Sequence, residues 1–199
     1  MAVTGSGEPV VFSPAIEGAV RACGDRITPE LRAKSKALGI DLDATMVAYP
    51  VDTFLPVFLM LSEALVPGDE ASRPQRLRSF GQQITEAYAH TAIGIATFAM
   101  ARVIGVRRSL QRAGRNIRNT GNYMDADGVV VDDTEVHLVT RVLPEFLRFV
   151  KPEWRLMEHY RLGIIDSFLK QLKAKESVAE VIKRDDAQFL TTYRVTWRD

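Results

Sequence analysis

The sequence predicts an α+β fold, with an N-terminal helical part followed by a β-β-α-β-β unit built on an antiparallel sheet. Three observations lead there. Up to about residue 118, apolar residues recur at helical spacing and hydroxyl-proline pairs mark helix starts. After the Asn119-Thr120-Gly121-Asn122 turn cluster the period changes to two. A helical stripe then returns at Leu156, Tyr160, Ile164, Phe168 and Leu172, between two pairs of strand-like segments. A chain of 199 residues suits one domain. It is read as a disordered leader over 1–9 and a domain over 10–199, helical over 10–118 and sheet-rich over 119–199.

The elements follow in order. Ser13-Pro14 sets an N-cap before a proline in the first turn, for a short helix ending near Gly24. Thr28-Pro29-Glu30 repeats the device, with Gly39 as a stop. Tyr49 is extended ahead of Pro50, and an apolar helix runs from Val51 to about Leu65, leaving through Pro67-Gly68-Asp69. Arg73 to Tyr88 is amphipathic and can continue through Ile104, with Gly81, Gly94 and Gly105 as points of kinking or close contact. Tyr123–Val131 and Thr134–Val142 read as a hairpin turned by Asp132-Asp133. A proline-bounded connector leads to a helix from about Glu153 to Lys173. Strands over Val178–Ile182 and Phe189–Trp197 finish the chain. Period two on the last strand and near 3.6 on the helix predict that Tyr193, Val195 and Trp197 pack on Ile164 and Phe168.

Composition narrows the function classes. Lys plus Arg number 26 and Asp plus Glu 25, so no global field draws the chain to nucleic acid or an anionic membrane. One cysteine, Cys23, forms neither an internal disulfide nor a thiolate metal site, which favours a reducing compartment and a cytoplasmic location. No signal peptide is read at the start. The apolar stretches 51–66 and 87–106 are interrupted by Asp52, Pro56, Glu63, His90 and Arg102. They fall short of the roughly eighteen apolar residues of a membrane span.

The most distinctive local feature is the series Arg102, Arg107, Arg108, Arg112, Arg115 and Arg118, in a stretch from 87 to 124 that holds no carboxylate and no lysine. On a helix, Arg108, Arg112, Arg115 and Arg118 share a face suited to an acidic protein partner or a small anion. A plain solvated face is the alternative. No helix-turn-helix, zinc finger or strand pair with stacking aromatics accompanies it, so nucleic acid is not expected. His90, His137 and His159 have no second ligand at metal spacing, and no metal or cofactor is expected. Cys23 has no local base, and nucleophile elbows and phosphate-cradling glycine loops are absent, so no catalytic residue is assigned. Tyr88, His90, Phe98 and Trp154 are candidate walls of an apolar pocket between helices and sheet, with ordinary core packing as the alternative.

Phe12, the Tyr49-Pro50-Val51-Asp52 element and the run from Ala101 to Tyr123 resemble a family of proteins of about 200 residues from myxobacteria, a domain of unknown function, over nearly the whole chain after residue 10. That family is distantly similar to vinyl-reductase-like sensory domains and to haem nitric-oxide-binding domains. Their sheet matches Tyr123–Val142, Glu153–Lys173 and Val178–Trp197 here. The resemblance implies a ligand-sensing or dimerising signalling module. Haem-binding relatives carry a proximal histidine on a helix and a Tyr-x-Ser-x-Arg signature. Tyr160-Arg161-Leu162-Gly163-Ile164 stands where such a motif would be sought, and no segment matches it. Vinyl-reductase-like domains place cysteines near the last hairpin, where this chain has Lys183-Arg184-Asp185-Asp186. The resulting expectation is a non-enzymatic signalling or regulatory module that binds a protein partner, with homodimerisation through its sheet or arginine helix as one arrangement. The alternative is a small-molecule sensor with an apolar pocket between helices and sheet.

Overall fold

In the computed structural model, residues 7–44, 46–112, 117 and 120–198 are described. Residues 1–6 of the expected leader therefore lie outside them. Glu8 and Pro9 are tied in, their carbonyls accepting from Asn122 Nδ2 (3.2 Å) and the Val51 amide (3.0 Å).

A short strand, β1 (Val10–Phe12), pairs antiparallel with β2 (Ala48–Pro50), with Val11 opposite Tyr49. Its other side meets the later chain. Val11 bridges to Gly121, and Val10 N donates to Asn122 Oδ1 (2.8 Å) across 112 residues. Helix α1 (Ser13–Cys23) follows directly. Ser13 is its first residue rather than its cap: the extended Phe12 (φ −78°, ψ 152°) holds the cap position without a side-chain bond, and the Ser13 amide donates to the Val47 carbonyl at 3.0 Å. Helix α2 (Pro29–Ala37) starts as expected, with Thr28 Oγ1 accepting from Leu31 N at 3.2 Å, and Gly39 leaves it at φ +97°. Helix α3 (Val51–Leu65) buries eight of its residues, as its nearly continuous apolar sequence demands.

The long run after Arg73 breaks into α4 (Arg73–Ala89) and α5 (Ala92–Ile104), which meet at 97°. Thr91 makes the break. Its hydroxyl donates to the Tyr88 carbonyl (2.8 Å) and accepts from the Gly94 amide (2.9 Å), capping α5 as α4 ends. A side chain at Gly94 would sit 1.9 Å from the Tyr88 carbonyl oxygen, so the corner requires glycine there. Among the described residues no single helix is long and apolar enough to cross a membrane. Helix α6 (Val106–Gln111) closes the helical part.

Four antiparallel strands follow: β3 (Met124–Val130), β4 (Glu135–Val142), β5 (Lys175–Asp185) and β6 (Leu190–Arg198), in spatial order β3-β4-β6-β5. Helix α7 (Met157–Gln171), preceded by a 3-10 turn over Pro152–Leu156, crosses between the hairpins. The α+β reading and its β-β-α-β-β order are the observed architecture.

Helix α7 is wedged between α4 and the sheet. Gly81 and Gly163 face each other's helix backbones, so α4 and α7 touch almost without side chains. Arg78 on α4 clamps Asp166 on α7 through Nε (2.6 Å) and Nη2 (2.9 Å), and reaches the Ala179 carbonyl of β5 at 3.2 Å. The sheet face carrying Tyr193, Val195 and Trp197 is buried as expected, but against Leu162, Ile165 and Leu169, with Phe168 only part-buried beside them. The rotation follows from the wedge. The α4 contact takes one flank of α7, and the stripe Tyr160-Ile164-Phe168 turns towards the boundary between the two parts.

A cavity between the helical part and the sheet

At that boundary lies a cavity of about 240 Å³. Helix α7 contributes Met157, Tyr160, Arg161, Ile164, Ile165 and Phe168, the i, i+3, i+4, i+7 face of one helix. Strands β3, β4 and β6 contribute Met124, Leu138, Thr140 and Tyr193, while Val11, Ala15, Phe54 and Leu110 come from the helical side. The walls are mostly apolar, with Arg161 and the tyrosines around it as the main polar group.

Among the described residues, Arg161 is the only charged side chain of those walls. Its Nη2 lies 3.0 Å from the Met124 thioether sulfur, a weak acceptor. Among the described residues no carboxylate stands within ion-pair distance of it. The nearby acidic groups are engaged elsewhere: Glu158 receives two bonds from Arg184 (2.9 and 2.7 Å), and Asp186 pairs with Arg155 at 3.2 Å. Three tyrosines surround the guanidinium. Burial pushes the Tyr123 hydroxyl up to about 12 and pushes Tyr160 up as well, so both stay neutral at physiological pH. Tyr193, at 0% exposure, approaches Arg161 without completing a hydrogen bond, and its hydroxyl has no partner. Thr140 Oγ1, at 2% exposure, is likewise unpartnered. Arg161 also borders a smaller pocket of about 180 Å³ lined by Trp154, Arg155, Glu158, Arg184 and Phe189 among others.

The residues proposed from sequence as pocket walls do not assemble into one pocket. Tyr88 and Phe98 pack on each other across the α4–α5 corner, ring centroids 6.3 Å apart, and His90 is exposed at the end of α4. The 97° turn at that corner carries all three away from the cavity. Trp154 packs against Phe54 and Tyr123 and lines the smaller pocket. Arg108 and Arg112 are exposed, while Arg115 and Arg118 lie outside the described residues. Arg107 pairs with Asp133, and Arg102 Nε donates to the Gln171 carbonyl at 2.8 Å. The sequence signal that was passed over is Arg161 itself, a lone cation on an otherwise apolar helical face.

The fold and the cavity define a class: α+β domains that set a helical part over a four-stranded sheet with a space between them. The chain belongs to the DUF2378 family, described as a protein of unknown function, whose family model matches residues 10–198. No curated protein matches it. Solved H-NOX domains share its fold. A double variant of the Tt H-NOX domain superimposes with a TM-score of 0.66 at 14% identity, covering 94% of this chain and 95% of that one. An oxygen-binding H-NOX domain related to soluble guanylate cyclases, in its oxygen complex, gives 0.62 at 15% identity with the same coverage. A variant of the T. tengcongensis H-NOX domain gives 0.57 at 14% identity, over 94% and 97% of the two chains.

Other H-NOX structures of this fold concern haem and its distortion, and the residues of this chamber decide whether such a group fits. No imidazole or thiolate lines the cavity. His137 is held by Glu135 (2.7 Å), His159 lies beside Glu158 (3.5 Å), and the Cys23 thiol faces the Leu61 carbonyl (3.5 Å) in the helical core. A volume of about 240 Å³ is also below the roughly 300 Å³ at which pockets for drug-sized ligands begin, and a metallated macrocycle is larger than those. The chamber does not fit haem. Among the described residues no cluster of three or more His, Cys, Asp or Glu could hold another metal ion.

Proposed function

We propose that this chain is a small-molecule-sensing domain whose ligand enters the chamber between the helical part and the sheet. The observation that carries the reading is the position of the chamber. Its walls come from β1, α1, α3, α6, α7 and three strands, so an occupant touches both parts at once. A ligand that binds one relative placement of the parts better than another shifts the population between them, which is the physical content of sensing. The likeness to an H-NOX domain that binds oxygen supports the same reading. Xenon and benzene are suitable neutral probes, followed by amide and methyl NMR. Saturable shifts centred on Leu138, Ile164 and Tyr193, abolished when Ile164→Trp fills the space, are the expected result. Absence of any such response in the folded protein overturns the reading.

A second reading is recognition of an acidic protein partner through Arg108 and Arg112, which are exposed and carry no ion pair among the described residues. Reversal of both to Glu, with pull-down at two salt concentrations, tests it. Retention of every interaction by the reversed protein removes this second reading.

A further inference from the structure

We infer that the chamber selects a small amphiphilic carboxylate, its charged end on Arg161 and its apolar body against Leu138, Ile164 and Phe168. This deepens the chamber reading above and rests on it.

The argument begins with charge. A guanidinium is protonated at any accessible pH, and burying it without an anion is strongly unfavourable. Buried arginines elsewhere in proteins are paired, and this molecule follows that rule at the buried Arg76 with Glu63, as does the part-buried Arg78 with Asp166. Arg161 departs from it. Part-buried on the cavity wall, it has a thioether as its hydrogen-bond acceptor, and the hydroxyls of Tyr123 and Tyr160 beside it stay neutral.

Geometry then narrows the anion. The guanidinium fork matches a carboxylate in two parallel hydrogen bonds. The unpartnered hydroxyls of Tyr193 and Thr140, both on the same cavity wall, are donors for the remaining lone pairs. Such buried and unsatisfied groups are rare, and two of them lining the cavity that Arg161 also lines, Tyr193 directly against the guanidinium, mark a place where acceptor oxygens belong. A phosphate dianion fits less well. It brings two charges to one cation, and the rest of the lining is hydrocarbon and aromatic.

Size narrows the remainder. At about 30 Å³ for a water-sized group, a chamber of about 240 Å³ holds on the order of eight such groups. Short aliphatic and single-ring aromatic acids are of that order.

The test compares hexanoate and benzoate with their neutral amides, hexanamide and benzamide, by calorimetry and amide NMR at pH 7.5 on the full chain. At least one acid is expected to bind tenfold or more tightly than its own amide, with shifts at Arg161 and Tyr193. Arg161→Met is expected to erase that preference while still admitting the amide and xenon. Tyr193→Phe serves as a second variant if Arg161→Met does not fold, and is expected to weaken the acid several-fold and the amide little. Equal binding of acid and amide, or an acid preference that survives Arg161→Met, overturns the inference. If xenon enters but no acid is preferred, the carboxylate is wrong and the chamber stands. If xenon, amide and acid all fail, both readings fall.

Discussion

Replacing Gly163 by alanine puts the close α4–α7 contact to a direct test. A β-carbon there would lie 1.9 Å from the Arg78 carbonyl oxygen and 3.0 Å from the Gln82 amide nitrogen. Real contacts of this kind stay beyond about 3.0 Å, so α7 would have to retreat from α4 by about 1.1 Å. The obstacle is backbone on a paired helix, and no side-chain rotation relieves it. Alanine gains about 1 kcal/mol of helix propensity over glycine. Against this, overpacking costs about 1–3 kcal/mol and occasionally more, and a gap of 0.5–1 Å forfeits roughly a quarter to a half of each dispersion contact along the seam. The clash wins. A net loss of about 1–2 kcal/mol is expected, or roughly 2–8 °C in Tm for a chain of this size. Gly18→Ala is the control. Its β-carbon meets only the Ile84 Cγ2 methyl at 3.2 Å, and the propensity gain should leave its midpoint unchanged or raised. Thermal and urea denaturation of both variants decide the matter. A Gly163→Ala midpoint equal to that of the wild type would refute the account of the α4–α7 seam.

Two further outcomes concern titratable groups. Burial pushes the Cys23 thiol up to about 11, against a partial opposing pull from Arg26, so Ellman's reagent at pH 8 should leave the folded protein unmodified and react only at the rate of unfolding; stoichiometric labelling within minutes would contradict this. Burial also holds the His159 imidazole below its ordinary 6.5, outweighing the opposing pull of Glu158. A depressed histidine favours the fold above the unfolded-state value and loses that contribution as pH falls through the folded one. The midpoint should therefore drop on acidification below about 6.5, and less so in His159→Gln, with the imidazole titration followed by NMR.

Local chemistry made most of the fold readable. The Thr28 cap, the entry at Pro50 and the alternation of Val136, Leu138 and Thr140 each act within a few residues, and each element formed where they point. The pairing of β1 with β2 was not readable, because three-residue strands carry no period and are fixed by partners far along the chain. The α4–α5 corner was missed for a different reason: Thr91 suits a helix interior poorly but not prohibitively, and only its bonds to Tyr88 and Gly94 show it capping. The chamber was the least readable of all. The stripe Tyr160-Ile164-Phe168 was legible as apolar, but whether it meets packed atoms or a space depends on how α4 and the sheet hold α7 between them.

The double attachment of residues 10–12, to segment 48–50 on one side and to 120–122 on the other, has a kinetic meaning. The second attachment closes a loop of more than a hundred residues, and such closures carry an entropic cost that local helices and hairpins do not. It belongs among the last contacts to form. Val11 and Ala15 ride on that segment as walls of the chamber, so the chamber is completed only when the loop closes. An occupant would then stabilise contacts absent from the folding transition state, and its presence would register as slower unfolding with little change in the rate of folding.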